Sequence, residues 1–216
     1  MSTIQTSTMR SILEMWRRAG RATASLIEDR RGIAATEFAF ILPIMLVLFF
    51  GTVEFSSAIA VDRDVTLVAR TLADLTSQSK SVADTDLTNF FTASCYILSP
   101  YTPAQQNTTI SELYVDPITL KARVLWSSAA TYNAQCSVVL GTGLAVDSNV
   151  AIPSSLAVGG TYLIFSQVSY LYLPAVGYVM AKTGITLADV AYTRPRQSLC
   201  VFYPTTNPLP TSCPTL

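Results

Sequence analysis

Ile33 to Val53 reads IAATEFAFILPIMLVLFFGTV, about the twenty residues a helix needs to cross a hydrocarbon core of roughly 30 Å. Its one charged residue is Glu37. Pro43 lies inside the run; a membrane helix tolerates it through local adjustment of the freed carbonyl, so a kinked span is expected. Before the run stand Arg10, Arg17, Arg18, Arg21, Arg30 and Arg31 against Glu14, Glu28 and Asp29, whereas Asp62 to Asp74 is net acidic. The excess of arginine on the N-terminal side predicts a single membrane pass with a cytoplasmic N-terminus and the C-terminal domain on the other side. Two other readings stand beside this one. A cleaved secretory signal also has a basic start, and Ala58-Ile59-Ala60 fits its cleavage pattern, but the apolar run exceeds the roughly 7–15 residues of a signal core. The other is a plain anchor with no further meaning, and Glu37 argues against it.

Beyond this run the composition is that of a folded chain. The 216 residues are 50% hydrophobic and 13% charged, with zero formal net charge, and the mean hydropathy is +0.40. Disorder and polyanion binding do not suit such a balance, and the N-terminal arginines are read as setting topology rather than contacting nucleic acid. Four cysteines, Cys95, Cys136, Cys200 and Cys213, all follow the apolar run, as expected if only the later part meets an oxidising compartment. Histidine is absent, which removes the commonest general base at neutral pH and the commonest transition-metal ligand. No phosphate-binding loop occurs, and the cysteines lack metal or redox spacing, so no catalytic residue, cofactor or metal is expected. Asp84 and Asp86 are read as a solvated helix start rather than a calcium site.

A carboxylate inside a membrane helix costs a few kcal/mol, so Glu37 is expected to have a partner and a function. It stands five residues after Gly32 in Arg30-Arg-Gly-Ile-Ala-Ala-Thr-Glu-Phe-Ala39, with a basic flank before and an apolar helix after. This resembles the processing site of type IV prepilins. The set Gly32, Glu37, Phe38, Ala39, Pro43, Gly51, Glu54 and Phe55 is similar to that of the TadE-like proteins of the tight-adherence (Flp) pilus system. Further along, Val168-Ser-Tyr-Leu-Tyr-Leu-Pro174 and Arg194-Pro-Arg196 resemble features near the C-terminus of that family, and Ser111–Val115 with Val124–Ser127 its paired strands.

The resemblance implies that a prepilin peptidase cuts between Gly32 and Ile33. Glu37 would then be the fifth residue of the mature chain, one turn from the new amino group or facing that of a neighbouring subunit. Phe38, where major Flp pilins commonly carry tyrosine, fits a minor pseudopilin. Glu54, near the far end of the span, reads as an interface residue on the outer side.

After the span, Val61, Val65, Val68, Leu72 and Leu75 recur at spacings of three and four, which predicts that the helix continues outward as a stem. A short helix is expected over Leu87–Tyr96. From Ile110 the pattern becomes β: ISELYVD, Pro117, then ITLKARVLW predict a hairpin, and Tyr162–Leu173 a buried strand rather than part of a second span reaching Val179. The aromatic residues from Tyr162 to Tyr203, Tyr170, Tyr172, Tyr178 and Tyr192 among them, are expected to fill a small core. Residues 11–29 suit a short amphipathic helix, and the Pro- and Thr-rich tail an irregular path. The expected fold is α+β: a leader over 1–32, a transmembrane helix over 33–55, a helical stem over 56–80, and a small pilin-like domain with an antiparallel sheet over 81–216.

Four cysteines allow three connectivities, and sequence alone does not decide among them. The loop between Cys200 and Cys213 contains Pro204, Pro208 and Pro210, which favour a turning path, so that pair is expected, with Cys95 to Cys136 as the other. The expected function is a non-catalytic minor pseudopilin or assembly component of a tight-adherence pilus. Its expected partners are the membrane, a prepilin peptidase, other pilins or pseudopilins and the assembly platform. The alternative is a generic membrane-anchored binding or adhesion module.

Overall fold

The computed structural model describes residues 31–174, 183–204 and 210–215. The expected helix over 11–29, Tyr178, Pro208 and the end of the rejected second span at Val179 lie outside them. The chain divides into two compact units, 1–51 and 52–216. One helix, α1 (Arg31–Ser77), has bounds that cross this division. It runs through Pro43, with Gly32 and Gly51 as its two glycines.

In the first unit the helix side chains from Gly32 to Phe50 are exposed. An 18-residue stretch there has a mean hydropathy of 2.3 and no buried residue, and among the described residues this is the one helix long and apolar enough to span a membrane. In the second unit the same helix is amphipathic. Ala58, Val61, Val65, Val68, Ala69, Leu72 and Ala73 form a buried stripe at helical spacing, with Asp62, Arg63 and Arg70 exposed around it. Leu75, expected in that stripe, is half-buried.

The helix end is satisfied by distant chain. The Arg196 N–H donates to the Ser77 carbonyl at 2.8 Å, and the Gln78 N–H to the Asp74 carbonyl at 3.1 Å. Helix α2 (Asp84–Ile97) follows; the Asp86 carboxylate accepts from the Ala83 N–H at 2.9 Å at its start. Its Leu87, Phe91 and Cys95 are fully buried or nearly so. It begins at Asp84, three residues before Leu87, with the Asp86 carboxylate holding the N–H of the residue that precedes the helix.

Among the described residues six strands form one antiparallel sheet: β1 (Gln106–Val115), β2 (Ala122–Tyr132), β3 (Val138–Thr142), β4 (Asn149–Val150), β5 (Tyr162–Tyr172) and β6 (Ile185–Thr193). The spatial order is β3-β2-β1-β5-β6, with β4 beside β2. The β1–β2 hairpin turns later than its sequence suggests. Asp116 accepts from the backbone N–H groups of Ile118 and Thr119 at 2.7 and 2.9 Å, and Leu120 takes φ 56°. Ile118 is therefore 90% exposed rather than paired. A bulge at Glu112/Leu113 sets Glu112 opposite Trp126 and Leu113 opposite Val124.

The sheet buries both faces unequally. One face, with Ile110, Trp126, Ala130, Tyr132, Ile164, Val168, Tyr170 and Tyr172, joins the stripe of α1 and the inner side of α2 in the main core. The other buries Leu113, Val115, Ala122, Val124, Leu163 and Phe165 under Leu144, Val150, Ile152 and Leu156 of the connecting chain. The fold is thus α+β, a long apolar N-terminal helix followed by an antiparallel-sheet domain. Two disulfides, Cys95–Cys136 and Cys200–Cys213, join α2 to the β2–β3 turn and close the C-terminal loop, each with its Cα atoms 5.8 Å apart.

Candidate assembly site on the N-terminal helix

Gly32, Ile33, Glu37 and Phe38 all lie within the first two turns of α1. All four are exposed, Ile33 to 51% and Phe38 to 59%. Ile33 and Glu37 are four apart on one helix and therefore neighbours on its surface. The Thr36 hydroxyl donates to the Ile33 carbonyl at 2.8 Å, which occupies an acceptor in the first turn. A Cβ placed on Gly32 would meet no atom within 4 Å, so the glycine is not required by packing inside this chain. Two turns of helix thus present a glycine, a carboxylate and an aromatic ring to whatever surrounds them, with no binding cleft and no assembled catalytic group.

Glu54 behaves differently. It is 3% exposed, inside the second unit rather than on an outer interface. The Tyr172 hydroxyl donates to its backbone carbonyl at 3.5 Å. Val168, Tyr170 and Tyr172 all point to the helix-facing side of β5 and are buried, because residues two apart on a strand share a face. The ring of Tyr170 meets that of Tyr101 edge-on at 6.4 Å. Burial pushes the Tyr170 hydroxyl above its ordinary pKa. In Arg194-Pro-Arg196, Arg196 closes on α1 twice, by its backbone N–H to Ser77 and by its guanidinium to Asp74 at 2.5 Å. The late sequence features that accompany the N-terminal block are, in this structure, the parts that hold α1 against the sheet.

Two polar groups sit in the domain interior. Glu112 is fully buried; one carboxylate oxygen accepts from the Val201 N–H at 2.7 Å and the other from the Trp126 indole at 3.0 Å. The indole is shared with the Val201 carbonyl at 2.7 Å. Burial pushes the Glu112 carboxyl up to about 8, against the lowering effect of its two donors. The network fixes the segment around Val201, whose neighbour Phe202 also pairs with the link between α1 and α2: Val82 N–H donates to Phe202 at 2.9 Å, and Phe202 N–H to Lys80 at 3.1 Å.

The second group joins Tyr132 to Thr108 and Ser94, with Gln106 donating to Ser94 at 3.0 Å. Burial pushes the Tyr132 hydroxyl up to about 12. No pairing of nucleophile with base occurs in either network, and Trp126 and Val201 of the first line a groove beside Cys213. Asp84 and Asp86 are engaged by protein donors, the Tyr203 hydroxyl at 2.8 Å and the Ala83 N–H, as suits a helix start. Among the described residues no group of three or more Cys, Asp or Glu stands together to hold a metal. A shallow groove of about 410 Å³ beside Cys213 is lined by Trp126, Tyr203, Pro204, Pro210 and Pro214 among others, and carries no carboxylate or amine.

Sequence reasoning missed Glu112. Its signal was present: it stands two residues after Ile110 in a run of strand formers, where the alternation puts it on the buried side. Residues 32–74 match the family model described as TadE-like protein. No curated protein and no solved structure matches the chain.

Proposed function

We propose that the chain, whose residues 32–74 match the TadE-like family model and which carries one apolar helix suited to a single membrane pass, is a minor pseudopilin of the tight-adherence pilus system that assembles by helix packing and performs no reaction of its own. The observation that carries this reading is the family match over residues 32–74, a segment that begins at Gly32 and ends inside the helix held by the sheet. The apolar half of α1 stays in the inner membrane, with the N-terminal arginines on the cytoplasmic side and the domain of residues 81–216 outside.

A prepilin peptidase of the membrane cuts between Gly32 and Ile33. The exposure of that bond's neighbours and the open space around Gly32 support access. The Ile33 amino group released by the cut is a cation, and Glu37 is its counter-charge, within one subunit or across to the next; in a low dielectric that pairing offsets the cost of the carboxylate. Phe38, beside it, packs against neighbouring pilins or the assembly platform.

The test is the intact mass of the chain from a host with an active prepilin peptidase. A mature protein beginning at Ile33 is expected, and a bulky residue in place of Gly32 blocks the cut. Recovery of the chain with residues 1–32 attached overturns the assignment.

A further inference from the structure

We propose that the outer edge of β3 is a docking edge for a second copy of this chain, which pairs there strand against strand in an antiparallel two-fold arrangement centred on Leu140. The inference is drawn from the second unit alone and adds a contact that helix packing does not require.

β3 ends the sheet on one side, and among the described residues no strand pairs with its outer edge. The turn that leads into β3 fixes which of its backbone groups face outward. The Asn133 N–H donates to the Ser137 carbonyl at 3.1 Å, and the Ser137 N–H to the Asn133 side chain at 2.8 Å, so these two residues face each other as a bonded pair. Bonded and non-bonded pairs alternate along an antiparallel ladder. Thr131 with Val139 and Ala129 with Gly141 are therefore the bonded pairs of β2 and β3, and Val138, Leu140 and Thr142 turn their N–H and C=O groups away from the sheet. Such a row is a template for one more strand.

The other edge of the sheet is guarded. Asp189 stands in the middle of β6, and its carboxylate accepts from the Val190 N–H at 2.8 Å, which withholds that donor from a further strand. A charge placed at mid-edge opposes edge-to-edge pairing. β3 has no such device: neither Asp, Glu, Lys, Arg nor Pro lies between Arg123 and Asp147, and those two residues pair with each other.

A second β3 matches this edge in one register. A centre on Leu140 sets Leu140 opposite Leu140 of the second copy and Val138 opposite its Thr142, so each outward N–H meets an outward C=O. The same register sets Val139 of each copy opposite Gly141 of the other, at a Cα separation of about 4.5 Å. Val139 is 65% exposed, and a Cβ placed on Gly141 would meet no atom within 4 Å. A projecting valine thus covers a bare glycine, twice over by the two-fold symmetry, and the paired strands bring no charged side chain together. The fit of the edge to itself is what names the occupant.

The test uses the full chain in detergent with both native disulfides formed, so that an introduced cysteine is the one free thiol. Val139→Cys chains are mixed with Gly141→Cys chains and mildly oxidised. Crosslinked dimer is expected several-fold more abundant in the mixture than in either variant alone. In sedimentation equilibrium, Val139→Lys is expected to raise the dimer dissociation constant roughly tenfold or more, and Val190→Lys on β6 to leave it unchanged. Where Val139→Lys shifts the urea midpoint, Thr142→Pro decides, because Thr142 is exposed and its N–H faces away from β2.

A chain that stays monomeric overturns the pairing. Crosslinking in the mixture no greater than in Val139→Cys chains alone overturns the register centred on Leu140. A dimer that these β3 variants leave intact, while Phe49→Cys chains crosslink, belongs to the apolar helix and overturns the β3 assignment, as does a dimer weakened by Val190→Lys alone.

Discussion

The two parts of α1 place opposite chemistry on their surfaces. Before Gly51 the apolar side chains face outward and the carboxylate of Glu37 is exposed among them; after Glu54 the apolar side chains of one stripe face inward and the charges stand outside. One helix therefore obeys two solvents. The first half has no stripe, as suits a helix covered on every side by hydrocarbon or another helix, and the second has a stripe because only one side meets the sheet. The same inversion reaches the carboxylates. Glu112, in the second unit, is buried with hydrogen-bond donors, whereas Glu37 is exposed. Burial against the sheet and the proposed assembly surface thus fall on different residues of one helix.

The largest effect that breaks this comparison comes from equal truncations on either side. Leu72 is fully buried in the main core, and Leu72→Ala is expected to destabilise the domain by about 2–5 kcal/mol. Phe49, 62% exposed, lies before the division, and Phe49→Ala is expected to change domain stability by less than about 0.5 kcal/mol. Urea unfolding of the full chain in detergent, read by tryptophan fluorescence, measures both. Equal losses would mean that the two halves share one core.

A second effect sharpens the contrast between the carboxylates. The folded pKa of Glu112 is raised from 4.5 to about 8, so the folded chain holds this proton more tightly than the unfolded one. The stabilisation is complete below about pH 4.5 and is lost as pH rises towards 8, giving unfolding free energies that fall by a few kcal/mol across that window. Asp116, held below the usual carboxylate range by the N–H groups of Thr119 and Ile118, titrates beneath it. Glu112→Gln removes the titrating group, and its stability between pH 5 and 8 is expected to be flat. An unchanged slope in the variant assigns the pH dependence to another group.

How much of this was legible in sequence follows from periodicity. The uninterrupted apolar run and the three-and-four spacing of Val61, Val65, Val68 and Leu72 carry the two halves of α1 on their face, and the β-branched and aromatic run Tyr162–Leu173 carries β5. Gly32 to Phe38 fall at the start of the residues that match the TadE-like family model.

What sequence did not carry was direction and partnership. Glu54 has the neighbours of a membrane-border residue, and only the return of β5 puts Tyr172 beside it. Ile118 and Leu120 have strand-forming character, but Asp116 captures the backbone N–H groups that a strand would have paired. The bulge at Glu112, which aligns its carboxylate with Trp126, depends on a register that no local pattern specifies.

The smallest expected effect lies at Arg196, where the two halves of an attachment to α1 can be separated. Its guanidinium meets Asp74 at 2.5 Å, but both side chains are about half exposed, and ion pairs in water contribute roughly 0–1 kcal/mol once screening and side-chain ordering are included. Its backbone N–H, in contrast, satisfies one of the last carbonyls of α1 at Ser77, a bond that substitution by any residue other than proline keeps. Pro195 fixes the backbone just before it, so the chain is already directed towards the helix end. Arg196→Ala is therefore expected to lower stability by less than about 1 kcal/mol, and high salt to produce a similar loss in the wild type and none in the variant. A loss of several kcal/mol in the variant, undiminished by salt, would place the attachment in the side chain and not in the backbone that follows the proline.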